Sequence, residues 1–88
     1  MNKNNPEIFE IEAWIISYLA KTLDLNRHEI DTTITFDNYG LDSATAAFMT
    51  SDLGEWLKLE IDPALPYEYP TIKELSQHLA LMAESKLG

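Results

Sequence analysis

Few side chains in this sequence can do chemistry, and they lie apart. There is no cysteine, which removes thiol nucleophiles, thiolate metal sites and a disulfide framework. Two histidines, His28 and His78, stand far apart without metal-ligand spacing. The hydroxyl in the most suggestive setting is Ser43, in Gly40-Leu41-Asp42-Ser43. A hydrolase built on it would need a histidine base and an orienting acid. Ala44-Thr45 follow the serine, so the segment is not the Gly-x-Ser-x-Gly strand–turn–helix elbow. A calcium loop starting at Asp24 fails as well: its sixth position would be Glu29 rather than glycine, and its twelfth Thr35 rather than glutamate.

One chemistry fits the serine better. It heads an amphipathic segment, and a helix N-terminus favours a phosphate ester because free N–H groups and the helix dipole face the anion. A phosphodiester on Ser43 Oγ would suit that position. Asp42, pointing outward, could hold the metal or the basic residues of a modifying enzyme. The same residues also read as an ordinary helix start, with Ser43 as N-cap and Asp42 as a favourable nearby acid. Spacing and physics leave both readings open.

The elements that must position the serine are helical. Asn5-Pro6-Glu7 reads as cap, first-turn proline and favourable acid. Ile8, Ile11, Ile15, Tyr18 or Leu19, and Leu23 keep a helical period, so a first helix is expected over about 6–23. Trp14, Ile16 and Ala20 widen its stripe. Residues 24–41 form a long loop with Leu25, Ile30, Phe36 and Leu41 as anchors, since a loop this long is usually functional or tied down. Its Thr32–Thr35 run could be a strand, but the sequence offers it no partner. The second helix is expected over 43–59. Stepping about 100° per residue puts Ala46, Met49, Thr50, Leu53 and Leu57 on one face. Ala44, Phe48, Ser51 and Glu55 then face away, and Trp56 lies at the border. Gly54 weakens this helix by roughly 1 kcal/mol relative to alanine, and close approach of another segment would explain it. Asp62-Pro63 begins a short helix over 63–68. Thr71 and Glu74 form a capping box for a last helix over 71–84, with the end of the chain fraying.

The 88 residues make a single domain, 1–88, with a modest core. A formal charge of −9 is concentrated in the middle: from Glu29 to Pro70 there are nine acids and one base, Lys58. Such a surface repels phosphate backbones, which argues against nucleic acid, and steers basic protein partners. The longest apolar run, Leu79 to Ala83, is far short of a membrane span, and Met1 to Glu7 does not read as a secretory signal. A cytoplasmic, free-standing monomer is the expectation.

Gly40-Leu41-Asp42-Ser43 resembles the attachment signature of acyl carrier proteins, and the resemblance extends along nearly the whole chain. Ile30-Asp31, Phe36 and Tyr39-Gly40 are similar to the family's loop. Leu53, Trp56 and Leu57 match the apolar end of its second helix. Tyr67-Glu68-Tyr69-Pro70-Thr71-Ile72 resembles the junction into the last helix in carriers of modular polyketide synthases. The resemblance implies an all-α, four-helix bundle of the acyl-carrier type, with three main helices and a short third. It implies a non-catalytic carrier on which a phosphopantetheinyl transferase moves 4′-phosphopantetheine from coenzyme A onto Ser43. Acyl groups then ride as thioesters to synthase or modifying enzymes in polyketide, lipopeptide or fatty acid biosynthesis. Asp52-Leu53-Gly54-Glu55-Trp56-Leu57 is similar to carriers loaded by fatty acyl-AMP ligases. Asp42 before the serine resembles acyl carriers more than peptidyl carriers. Two departures, Ala44 after the serine and Phe48 where polar residues are common, fall on the partner side. Leu41 and Asp42 are therefore expected to assist transferase docking, and Ala44, Ala47, Phe48, Ser51 and Glu55 to form a docking face. The competing readings are a cofactor-free helical adaptor that uses Phe48 and the acids, and a peptidyl carrier.

Overall fold

A computed structural model describes residues 6–87. Four helices account for most of them: α1 Ile8–Leu23, α2 Ser43–Leu57, α3 Leu65–Glu68 and α4 Ile72–Leu87. No strand occurs among the described residues. The core is a helical one. Ile11, Ile15 and Leu19 from α1 meet Met49 and Leu53 from α2, and Ile72, Leu75 and Leu79 from α4. Each buried aliphatic contributes roughly 1.5–3 kcal/mol relative to an exposed one. Leu65 from α3 closes the core, joined by Ile30 and Phe36 from the long loop.

The helix ends differ in detail from what the sequence suggests. The first cap is Glu7, not Asn5, which lies outside the described residues. Glu7 and Glu10 form a reciprocal capping box, with the Glu7 N–H donating to Glu10 Oε1 at 2.7 Å. Pro6 therefore precedes α1 rather than opening it. α2 stops at Leu57 because Lys58 turns into the left-handed region, φ 58°. The Leu59 N–H then returns to the Gly54 carbonyl at 2.9 Å, closing the helix in a Schellman turn. α3 starts at Leu65, two residues later than expected. Asp62 caps only a turn, accepting from the Ala64 N–H at 2.9 Å, and Pro63 sits inside that turn. At α4 the Thr71 hydroxyl accepts from the Glu74 N–H at 3.1 Å, the expected cap. The helix runs on to Leu87 rather than fraying after Glu84.

The long loop does find a partner. Thr35 and Thr71 form an isolated antiparallel bridge. The Phe36 N–H donates to Pro70 O at 2.9 Å and the Lys73 N–H to Thr32 O at 3.0 Å. The β-branched run is thus laced to the entry of α4, with no strand formed. Inside the loop, short 3-10 turns occupy Arg27–Glu29 and Asp37–Tyr39. All four predicted anchors pack inward: Ile30 and Phe36 are buried, and Leu25 and Leu41 are half-buried against the core. His28 is exposed. The His78 ring stacks on Tyr69, centroids 4.2 Å apart.

Candidate functional site

The site is assembled by the last turns of the long loop. The Tyr39 hydroxyl accepts from the Asp31 N–H at 2.5 Å and donates to the Asp31 carbonyl at 2.9 Å. That pair pins the second 3-10 turn across the loop. Phe36 and Leu41, tucked onto the core, fix it from below. Gly40 follows with φ 79°, and its N–H donates to Asp37 O at 2.9 Å. A residue with a Cβ is strained at such a φ, so the glycine allows the sharp turn into α2.

Asp42, not Ser43, is the N-cap of α2. Its backbone is extended, and Oδ1 accepts from the Thr45 N–H at 2.8 Å. Its carbonyl takes the first helical bond, from Ala46 at 2.9 Å. Ser43 is already the first residue of the helix, where helical dihedrals carry Oγ away from the free N–H groups. The carboxylate has the longer reach and adds a charge that the helix dipole favours. Hydrogen bonds from Thr45, the backbone N–H first and the hydroxyl second, hold the Asp42 carboxyl below the usual carboxylate range.

The correction reassigns two roles. One oxygen of Asp42 is turned onto the helix end instead of standing wholly outward. Ser43, relieved of capping, is exposed at the tip of the helix and takes no part in the cap. A phosphate ester there would share the helix end with the Asp42 charge, so the dipole alone does not supply its binding.

Below the serine, α2 presents the faces expected of it. Ala46, Met49, Thr50, Leu53 and Gly54 are buried. Phe48 is 66% exposed, and Ala44, Ser51 and Glu55 are exposed with it. Ala47 is half-buried, as is Leu41. An open groove of about 840 Å³ begins at Ala47, one turn below Ser43. It runs along α2 past Ser51 and Gly54, and residues 59–63 form its other wall. Nothing in the sequence pattern marks this groove except Gly54. There a Cβ would come within 2.7 Å of the Leu59 carbonyl oxygen, the close approach expected from the glycine. Among the described residues no group of three His, Cys, Asp or Glu side chains could hold a metal. No helix among them is long and apolar enough to cross a membrane.

Comparison with known proteins agrees with this geometry. The family model described as the phosphopantetheine attachment site matches residues 13–79. The chain belongs to that family of carrier proteins. The acyl carrier protein TtuC of Teredinibacter turnerae is 30% identical over 71 residues, covering 81% of this chain and 82% of its own. A segment of the polyketide synthase PksL of Bacillus subtilis is 29% identical over 80% of the chain. This carrier spans only 2% of that synthase. Among solved structures, a free-standing peptidyl carrier protein from Acinetobacter baumannii superposes with a TM-score of 0.80 at 34% identity. That match covers 93% of this chain and 98% of the other. The carrier is thus an all-helical bundle of the acyl and peptidyl carrier type. Its family bears covalent 4′-phosphopantetheine, is generally non-catalytic and works with synthases and modifying enzymes.

Proposed function

We propose that Ser43 is the residue that takes the 4′-phosphopantetheine arm, and that the loaded carrier presents acyl thioesters to successive enzymes. The observation that carries the assignment is the exposed hydroxyl at the first position of α2, freed from capping by Asp42 and held by the pinned loop. The four other serines lack this setting. Ser76 is fully buried, and Ser17, Ser51 and Ser85 lie within helices rather than at an N-terminus. The groove starting at Ala47 gives the arm a surface to lie along.

A phosphopantetheinyl transferase makes the attachment: the serine oxygen, losing its proton to a base of the transferase, bonds to the pantetheine-bearing phosphorus of coenzyme A, the pyrophosphate P–O bond breaks and adenosine 3′,5′-bisphosphate leaves. Leu41 and Asp42 flank the acceptor and assist docking. Ala44, Ala47, Phe48, Ser51 and Glu55 form the face read by the loading enzyme, for which a fatty acyl-AMP ligase is the leading class, and by the downstream synthase. The cytoplasm, where coenzyme A is at hand, is the compartment we assign. Likeness to a peptidyl carrier supports a second reading in which the cargo is an aminoacyl group.

Incubation with fluorescent coenzyme A and a broad-specificity transferase tests the assignment. Wild type should become labelled and Ser43→Ala should not. A folded wild type that stays unlabelled would favour a cofactor-free adaptor. Offering the holo protein acyl- and aminoacyl-adenylating enzymes in turn, and weighing the product, separates the two cargoes.

A further inference from the structure

One helix carries two of its charges the wrong way round. In α4, Lys73 stands in the first turn and Glu84 in the last. A helix dipole favours acids at its start and bases at its end, so both residues oppose it. Both are exposed. They lie about three turns apart, hence on one face. Stepping about 100° per residue puts Gln77, Ala80 and Leu81 on that face between them. The core residues Ile72, Leu75 and Leu79 lie on the other side of the helix. A charge at each end that its own helix disfavours calls for a cause outside the helix.

The strip between the two charges opens to solvent. Leu81 is 63% exposed, and Ile8 and Phe9 at the start of α1 are 42% and 63% exposed. Pro6, Glu7 and Ile8 face Gln77, Ala80 and Leu81 across a groove of about 310 Å³. No residue of α2 lines it, so it is separate from the attachment site and its docking face. The charge around it differs too. Residues 29–70 hold nine acids and one base. The rest of the chain, mostly α1 and α4, holds six acids and five bases, close to neutral.

We propose that this face of α4 binds the same face of a second copy, the two helices running antiparallel about a twofold axis that passes near residues 78–79. A twofold contact places one patch on both sides. Lys73 of each copy then lies opposite Glu84 of the other, Gln77 faces Ala80, and Leu81 comes over Gln77 and the groove beside it. Each charge meets its opposite, together with the helix end that suits it. The near-neutral surroundings let two chains of formal charge −9 approach on this side, where an approach through residues 29–70 would meet like charge. A partner of another sequence would match the spacing of the two charges only by coincidence, whereas a second copy matches it by symmetry. A contact along one helix lies at the small end of protein interfaces, below about 1,200 Å². The pair is therefore weak, with a dissociation constant of about 0.1–1 mM, and the dilute chain is the monomer expected from its sequence. The contact uses neither Ser43 nor the arm.

The test uses the unmodified full chain at about 0.15 M salt, where repulsion beyond about 8 Å is screened. Sedimentation equilibrium should give 10.0 kDa in dilute solution, at about 10 μM, and a mass rising toward twice that at about 1 mM. Lys73→Glu and Glu84→Lys each set like charges opposite one another, twice per pair, and should each weaken association about tenfold. Both changes suit the helix dipole, so neither threatens the fold. Mixed in equal amounts, the two variants should regain wild-type association, because each supplies the charges that the other lacks. The double variant, with its charges exchanged, should regain it as well. Leu81→Asp should remove association while keeping its helical circular dichroism. Amide NMR signals that move on dilution should fall at residues 8–9 and 73–84. A wild type that stays at the monomer mass at about 1 mM overturns the inference and leaves the strip to another partner. A mixture that associates no better than its components, or dilution shifts confined to residues 43–57, overturns it too.

Discussion

Gly54→Ala sets two effects against each other, and the structure decides between them. In a helix interior, alanine is favoured over glycine by roughly 1 kcal/mol, so propensity alone predicts a more stable protein. The new Cβ, however, would lie 2.7 Å from the Leu59 carbonyl oxygen. That neighbour is backbone, so no rotamer change can relieve the contact. Leu59 is fastened by its own N–H to Gly54 O at 2.9 Å, with Lys58 N–H bonded to Glu55 O at 3.3 Å. Opening the turn weakens both bonds, each worth about 0.5–1.5 kcal/mol net, and overpacking of this kind typically costs about 1–3 kcal/mol. The sum is a net loss of about 1–2 kcal/mol. For a domain of this size that lowers Tm by roughly 4–8 °C per kcal/mol. Urea titration followed by circular dichroism should show a lower midpoint with an unchanged slope. Ser51→Ala, on the same helix but exposed, should be neutral or slightly stabilising. A Gly54→Ala protein that melts higher than wild type would refute the reasoning, since propensity would then have won and the 58–61 turn would be free to yield.

Other outcomes follow from single residues. Ser76 is fully buried and its hydroxyl has no hydrogen-bond partner among the described residues; Ser76→Ala should raise stability by about 1 kcal/mol, and a drop on thermal melting would show that the hydroxyl is satisfied in solution. Phe48→Ala should change stability by no more than about 0.5 kcal/mol while slowing acyl transfer by a cognate enzyme, whereas a loss of about 3–5 kcal/mol would mean a buried ring. Asp42 has its carboxyl pKa depressed by Thr45, so its contribution to stability is complete above the ordinary carboxylate pKa and is lost as pH falls through the depressed one. Melting of Asp42→Asn should accordingly lie below wild type at neutral pH and converge with it in strong acid; a gap that stays constant with pH would contradict the capping assignment.

Long-range order was legible wherever periodicity carried it. The core residues of α1, α2 and α4 recur at helical spacing, and the exposed face of α2 follows from the same count. Gly54 could be tied in advance to a close approach because a glycine inside a good helix calls for a cause. What the pattern could not carry was competition between adjacent residues of similar type. Asp42 and Ser43 are both good caps, and reach and charge, which spacing does not encode, gave the role to Asp42. Pairing across the fold was equally hidden. The Thr35–Thr71 bridge, the Tyr69–His78 stack and the Trp14–Trp56 stack join residues 36, 9 and 42 positions apart. No local signal announces such contacts.

The central claim is that a covalent arm is placed on Ser43 and nowhere else. Intact-mass analysis after incubation with coenzyme A and transferase, followed by fragmentation of the whole protein, tests it most directly. One phosphopantetheinyl increment is predicted, carried by every fragment that contains residue 43 and by none that lacks it. An increment that maps to Ser51 or any other hydroxyl, or that persists in Ser43→Ala, would contradict the account.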